Sequence, residues 1–291
     1  MTTAFVTGAN SGIGRAIALR LAADGHEVFG GMRSLDRGTK LANFASELGV
    51  EVTPVICDVT ETSSVDAAID RVVAEGGSID ILVNNAGIAL NATTEDIDIE
   101  AGKAVFDANY WGIVRTCQAA LPHMRAAGSG TIVNISSVTG HLAAIGQTVY
   151  ASSKWAVECL SENLAQEVVP FGVRTLVIEP GVTRTAMLAK NTDNPSPTVY
   201  ETEYRRMMQF YAAGIVANVG ADVVADTVSE ALADQTGQLR WPCAWGGDEL
   251  IAGRDQISDA EWVAMGALED DTEYYAAFKQ HFGLDLDISV D

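Results

Sequence analysis

TAFVTGANSGIGRAIALRLAADG, residues 3–25, carries the reading on which the architecture turns. TAFVTG is a short apolar run that stops at Gly8, and SGIGRAIALRLAADG then holds apolar residues at helical spacing up to a second stop at Gly25. The spacing predicts a strand, a tight turn and a helix. TGANSGIG, residues 7–14, thereby falls where a dinucleotide pyrophosphate can rest on the amides of a helix N-terminus. Gly8, Gly12 and Gly14 remove Cβ atoms where the turn is tight and where backbone meets phosphate. The spacing is G-x3-G-x-G, which differs from the commoner G-x-G-x-x-G.

The same alternation continues outward. EVFGG (27–31) precedes a helical stretch, VTPVICDV (52–59) precedes VDAAIDRVVAEGG, and IDILVNNAG (79–87) is another apolar run ending in small and polar residues. TIVNISS (131–137) and VRTLVIEPG (173–181) follow helix-patterned stretches at about 104–127 and 149–169. Short, nearly continuous apolar strands alternating with helices imply an α/β fold, a single Rossmann-like doubly wound parallel sheet covered on both faces. Past residue 240 the alternation stops. The expected organisation is one domain over 1–240, with a helical lid at about 186–218, and a helical appendage over 241–291 that has no independent core. KNTDNPSPT, 190–198, with two prolines and no periodicity, reads as loop.

At 291 residues, 48% hydrophobic and 20% charged, the composition is globular and sufficient for a sizeable core. A formal charge of −21 disfavours nucleic acid and anionic membrane surfaces, which would be repelled. Cys57, Cys117, Cys159 and Cys243 have no metal-site spacing and the four histidines are dispersed, so buried thiols and no metal are expected. With no signal-like N-terminus and no apolar run near the ~20 residues that span a bilayer, a cytoplasmic protein is expected.

A dinucleotide site is read further at the end of the second strand, where an acidic residue would hold the adenosine ribose. That slot here is Met32–Arg33. The apolar residue leaves the 2′ position unclaimed and the Arg33 fork suits a 2′-phosphate, so the chemistry points to NADP(H) over NAD(H). Neither Asn10 nor Ser11 adds a second positive charge. TVYASSKWAV, 148–157, puts Tyr150 and Lys154 one helical turn apart, a spacing shared by ordinary surface pairs and by a proton donor with its electrostatic partner.

With TGANSGIG, CDVT (57–60), NNAG (84–87), Asn109, NISS (134–137), YASSK (150–154) and PGVTRT (180–185) in order, residues 3–188 resemble the short-chain dehydrogenases/reductases. The match is to the single-domain branch with the TGxxxGxG turn. RWP (240–242) and the long tail are also similar to members acting on steroid-like and retinoid-like alcohols or ketones. The resemblance implies Tyr150 as general acid/base, Lys154 as its electrostatic partner and ribose ligand, Ser137 orienting the reacting oxygen, and Asn109 holding a relay water. Ser137 is preferred to Ser136 because it lies thirteen residues before the tyrosine, as the family spacing requires. The implied cofactor contacts are Gly8, Asn10, Ser11, Gly12, Ile13, Gly14 and Arg33, then Asp58 and Val59 near the adenine, Asn85, Ala86 and Gly87, and Pro180, Gly181, Thr183 and Thr185 near the nicotinamide, with Tyr150 and Lys154.

The function implied is reversible reduction of a ketone or aldehyde, the small-molecule substrate being apolar or bulky. A phenol titrating near 10 needs roughly 4 kcal/mol of preference for phenolate to reach about 7; Lys154 and an oxidised nicotinamide are the expected sources. Substrate contacts are expected from His141, Gln147 and Met187, flanked by Leu142, Ala144 and Ile145 and by lid residues Leu188, Tyr204, Met207, Met208, Phe210 and Tyr211. For His141 a loop-capping role ranks ahead of a substrate hydrogen bond or an extra base. The alternatives are an NAD-dependent alcohol dehydrogenase, a catalytically silent nucleotide-binding regulator, and an interaction module built on the acidic tail (Glu269, Asp270, Asp271, Glu273, Asp285, Asp287). A homodimer or homotetramer through helices 104–127 and 149–169 is implied by the resemblance.

Overall fold

The computed structural model describes residues 2–185 and 199–288. The chain runs β1 (Thr3–Thr7), α1 (Gly12–Ala23), β2 (Glu27–Met32), α2 (Thr39–Leu48), β3 (Val52–Ile56), α3 (Thr62–Gly76) and β4 (Ile81–Asn84). It continues with α4 (Ile99–Phe106), a π-helical turn (Asp107–Trp111), α5 (Gly112–Ala127), β5 (Gly130–Ile135), α6 (Thr148–Val168) and β6 (Val173–Pro180). Beyond residue 198 come α7 (Glu201–Val216), α8 (Ala221–Ala233), β7 (Arg240–Cys243), α9 (Gly247–Gln256), α10 (Asp259–Met265) and α11 (Asp271–Phe282).

All seven strands are parallel, in the order β3-β2-β1-β4-β5-β6-β7. Successive side chains of a strand point to opposite faces, and β1 shows the consequence: Ala4 and Val6 pack with Ile17 and Leu21 of α1 and Val224 and Val228 of α8. Phe5 joins the other layer, with Ile69 of α3, Ile113 of α5 and Val157 and Leu164 of α6. Both faces are therefore covered, which is why these strands read as unbroken apolar runs. The order reverses between β1 and β4, and the cleft that such a switch point leaves opens at the carboxyl ends of the strands.

The expected boundary at 240 does not hold. RWPC is the seventh strand, with Val177 opposite Arg240 and Pro180 opposite Cys243, so the sheet crosses the proposed division. Four residues containing a proline carry no apolar alternation, and an edge position tolerates the missing N–H of Pro242. The helices beyond it bury Leu250, Ile257, Met265, Tyr274, Phe278 and Phe282 in one cluster with Val138, Leu142 and Ala213 from the rest of the fold. Ser258 starts α10 with a reciprocal capping box to Glu261, and Asp270 caps α11. Of the expected lid, Met187 and Leu188 lie outside the described residues; the described part is α7. Among the described residues no single helix is long and apolar enough to cross a membrane.

Candidate active site

A cleft of about 470 Å³ runs along the carboxyl ends of the central strands, within the usual size of a small-molecule or cofactor site. At one end Gly8 and Gly12 adopt left-handed backbone (φ +69° and +54°), and a Cβ on Gly14 would stand 2.5 Å from the Gly8 carbonyl oxygen. Only glycines build that turn. It is bolted to the end of β4: Thr7 Oγ1 accepts from the Asn85 and Ala86 amides at 2.9 and 3.0 Å, and Asn85 Nδ2 donates to Thr7 O at 2.9 Å. Ser11 begins α1 without capping it through its side chain, and no acidic residue sits in the first turn. The N-terminal amides and the positive end of the helix are thus left for an anion.

Arg33 lines this end of the cleft, and Arg37 joins it from the turn after β2. Both are exposed, and among the described residues neither guanidinium forms an ion pair or a side-chain hydrogen bond. Arg37 adds a second guanidinium at this end of the cleft, four residues after Arg33 in the sequence. Asp58 and Val59, after the neighbouring strand β3, also line the cleft, Asp58 Oδ1 accepting from Thr60 N and Oγ1 at 3.0 and 2.7 Å. Asn10, Ser11, Ile13 and Ala86 also face the cleft.

The other end is built by β5, α6 and β6. Ser137, Tyr150 and Lys154 all line it, with Pro180, Gly181, Thr183 and Thr185 closing the side. Lys154 is buried and donates from Nζ to Ile135 O at 2.8 Å, 5.7 Å from the centre of the Tyr150 ring. Ser137 Oγ donates to Pro180 O at 3.3 Å and accepts from the Thr139 amide at 3.2 Å. Asn109, buried in the π-helical turn, clamps the strand-end loop: Nδ2 donates to Ile88 O at 2.9 Å and Ser153 Oγ at 3.0 Å, and Oδ1 accepts from Ile88 N at 2.8 Å. Gly87 has to be glycine beside it, because a Cβ would lie 2.9 Å from Asn109 Oδ1.

The electrostatics differ from the sequence expectation at one point. Burial raises the Tyr150 phenol above its ordinary range, against the opposing hydrogen bond of Ser137, so the protein alone does not lower it. Burial also pushes the Lys154 ammonium down to about 8, with Glu158 opposing.

The substrate expectations divide. Gln147 is buried and faces the cleft, together with Phe210 and Tyr211 of α7. Leu142, Ala144 and Ile145 instead line a side cavity of about 30 Å³ that shares Gln147 and Phe210 with the cleft. His141 is turned away from the cleft: its Nε2 lies 2.6 Å from Glu179 Oε1, a partner 38 residues distant that no local pattern reveals. Ser136, the rival of Ser137, lies deeper, against Glu158.

A model of the short chain dehydrogenase family matches residues 2–196. The oxidoreductase BOA17 of Botryotinia fuckeliana is 36% identical over 262 residues, covering 88% of this chain and 90% of its own. A short chain dehydrogenase/reductase from Burkholderia phymatum, solved in complex with NAD, superposes with a TM-score of 0.72 at 26% identity, over 82% of this chain and 87% of that one. An alcohol dehydrogenase from Thermococcus sibiricus, solved with 5-hydroxy-NADP, gives a TM-score of 0.67 at 28% identity, over 83% and 94%.

Proposed function

Because the chain belongs to the short-chain dehydrogenases, oxidoreductases that work with a nicotinamide cofactor, we propose that it reversibly reduces an apolar ketone or aldehyde with NADP(H). The observation that carries the reading is one cleft with the glycine turn, Arg33 and Arg37 at one end and Ser137, Tyr150 and Lys154 at the other. Its residues suit the cofactor: the crowded Gly14 and the uncapped α1 amides make a cradle for a pyrophosphate. Arg33 and Arg37 would hold a 2′-phosphate, and Thr183 and Thr185 the nicotinamide carboxamide.

When bound, the nicotinamide supplies or takes the hydride and, oxidised, adds a positive charge to the site. The carbonyl oxygen gains negative charge as it is reduced, and a positioned acid must deliver a proton there. Tyr150 is that acid: burial keeps it protonated at neutral pH, and Ser137 orients the same oxygen. Lys154 favours the phenolate left behind and is placed to bind ribose. Asn109 fixes the loop at Ile88, and its remaining oxygen lone pair is available to a relay water. Phe210 and Tyr211, which wall the cleft beside Gln147, support an apolar substrate. The exposed Trp111, Trp155, Val169 and Phe171 along the π-helical turn, α6 and its end support pairing of two copies there, which a monomer in sedimentation would refute.

Fluorescence titration with NADPH and NADH tests the cofactor reading. Arg33→Ala and Arg37→Ala should each weaken NADPH about 10-fold or more, since a hydrogen bond to a charged group contributes about 1.5–3 kcal/mol, and leave NADH unchanged. Equal or stronger NADH binding by the unaltered protein would redirect the assignment to NAD-dependent alcohol oxidation. Tyr150→Phe should lower kcat by about 10²–10⁴ on a screened ketone; retained turnover would remove the tyrosine from the mechanism.

A further inference from the structure

We infer that Gln147 is a specificity-determining residue: its side-chain amide takes a second, uncharged oxygen of the substrate, so the favoured substrates are ketones with a further hydroxyl or carbonyl on an apolar body. The inference rests on the reductase reading above and narrows its substrate class. Gln147 stands three residues before Tyr150, at the start of α6. Its backbone is fixed. The N–H donates to Ala144 O at 3.2 Å, the carbonyl accepts from Ala151 N at 2.8 Å, and Gly146 before it has left-handed backbone (φ +73°). The side chain has no such tie: Gln147 is 2% exposed, yet its amide neither caps α6 nor hydrogen-bonds to any of the described residues.

A glutamine amide carries two donors and a carbonyl acceptor, and burying them unpaired is costly. Buried amides ordinarily find a partner within the protein. Gln147 instead lines both the cleft and the small apolar cavity beside it, a position shared by Val138, Thr139 and Phe210. Thr139 repeats the pattern. It is 5% exposed, its amide donates to Ser137 Oγ, and its own Oγ1 is buried without a hydrogen-bond partner. Two unpartnered polar side chains therefore lie at the neck between the reacting end of the cleft and an apolar recess.

The charges around the neck set the class of the group that fits it. Among the described residues lining the recess, Arg206 is the single charged one, and it is engaged elsewhere: Nε with Asp271 Oδ1 at 2.9 Å and Nη2 with Leu268 O at 2.7 Å. Lys154 is likewise held, by Ile135 O at 2.8 Å. A carboxylate or an ammonium on the substrate would thus meet no free counter-charge at the neck, whereas a neutral oxygen can accept from the Gln147 amide. A ketone with one oxygen presents it to Ser137 and Tyr150 and leaves that amide unpaired, and a site built around a buried polar group discriminates against the analogue that cannot pair it.

The test is a binding measurement, made with the oxidised nicotinamide nucleotide present so that no turnover is needed. Octan-2-one is compared by calorimetry with octane-2,3-dione, 4-hydroxyoctan-2-one and octane-2,5-dione, which keep the chain and move the second oxygen. The added oxygen is well solvated in water, so apolar transfer alone ranks each of the three below octan-2-one. At least one of them should bind the unaltered protein about 10-fold more tightly than octan-2-one, the order for a buried polar group that gains its partner. In Gln147→Met, similar in length and without the amide, that preference should disappear while octan-2-one binds as before. No preference in the unaltered protein, or one that survives in Gln147→Met, overturns the inference. If Gln147→Met does not fold, the ranking by the unaltered protein decides alone. Should the preference appear and vanish as stated while Tyr150→Phe reduces the preferred compound at full rate, Gln147 keeps its role and the catalytic reading falls; should Tyr150→Phe be inactive on octan-2-one while no second oxygen is preferred, the reverse holds.

Discussion

Phe278→Ala asks whether the tail is an attachment or part of the domain. Phe278 is 4% exposed on α11, with ring centres 4.6 Å from Phe282, 6.1 Å from Phe210 and 6.4 Å from Tyr274. Truncating a buried phenylalanine costs about 3–5 kcal/mol, more where the surroundings cannot collapse. Collapse is hindered here, because Phe210 is held by α7 and Tyr274 by the Arg206 guanidinium stacked 4.3 Å above its ring. The expected loss is therefore about 4 kcal/mol, read by urea unfolding at fixed protein concentration, with tryptophan fluorescence and far-UV dichroism falling in one transition. Phe210 also walls the cleft, so KM for an apolar ketone should rise while NADPH affinity, set at the glycine turn, stays constant. A loss below about 1 kcal/mol, or a separate early transition that leaves catalysis intact, would refute the reasoning and return residues 241–291 to an appendage.

Other expectations are shorter to state. Lys154 loses its proton at about 8 in the folded protein against an ordinary 10.5, a difference equivalent to about 3 kcal/mol against folding at neutral pH. The unfolded chain binds the extra proton between those values, so this penalty is full below about 8 and relieved as pH rises toward 10.5. Lys154→Met should therefore be inactive yet more stable by about 1–2 kcal/mol at pH 7, allowing for the Ile135 carbonyl left without its donor, and the gain should vanish near pH 10.5; equal stability at both pH values would count against it. Gly14→Ala should lose cofactor binding by at least about 10-fold, because the new Cβ meets backbone at Gly8 and cannot be accommodated by a side-chain shift; calorimetric titration with NADPH decides. Arg205 and Arg206 both pair with Asp271, at 2.6 and 2.9 Å, but with side chains 50% and 2% exposed. Arg206→Ala should cost about 1–3 kcal/mol by leaving Leu268 O without its donor and the Tyr274 face uncovered, and Arg205→Ala less than about 1; comparable losses in urea unfolding would contradict that ranking.

What the sequence made legible follows from how the information is stored. The strands of a parallel sheet covered on both faces need continuous apolar runs, and the glycine turn needs missing Cβ atoms; both demands are local, and TAFVTGANSGIG displays them outright. Many cleft residues, such as Gly8, Asn85 and Ser137, follow strand ends whose position the alternation sets, whereas Tyr150 and Lys154 on α6 and Asn109 in the π-helical turn are singled out by the family spacing. The misreadings share the opposite property. RWPC forms a strand because β6 offers it an edge, and its own four residues carry no period. The tail helices look coreless because Val138, Leu142 and Ala213, far away in the chain, complete their apolar cluster.

Glu158 is the sharpest instance. In KWAVECLSEN it is one acid among several on a long helix, and a charge there is ordinarily a solvated face. Its burial is decided by Glu179, Arg240 and His141, which arrive from three other elements. The same neighbours hold His141 away from the cleft, its Nε2 lying 2.6 Å from Glu179 Oε1. A functional histidine and a structural one are indistinguishable in the motif and distinguished entirely by the carboxylate on the next strand. The charged layer behind the helix is thus unreadable in the motif, because its members meet only when β6, β7 and the loop after β5 are packed against α6.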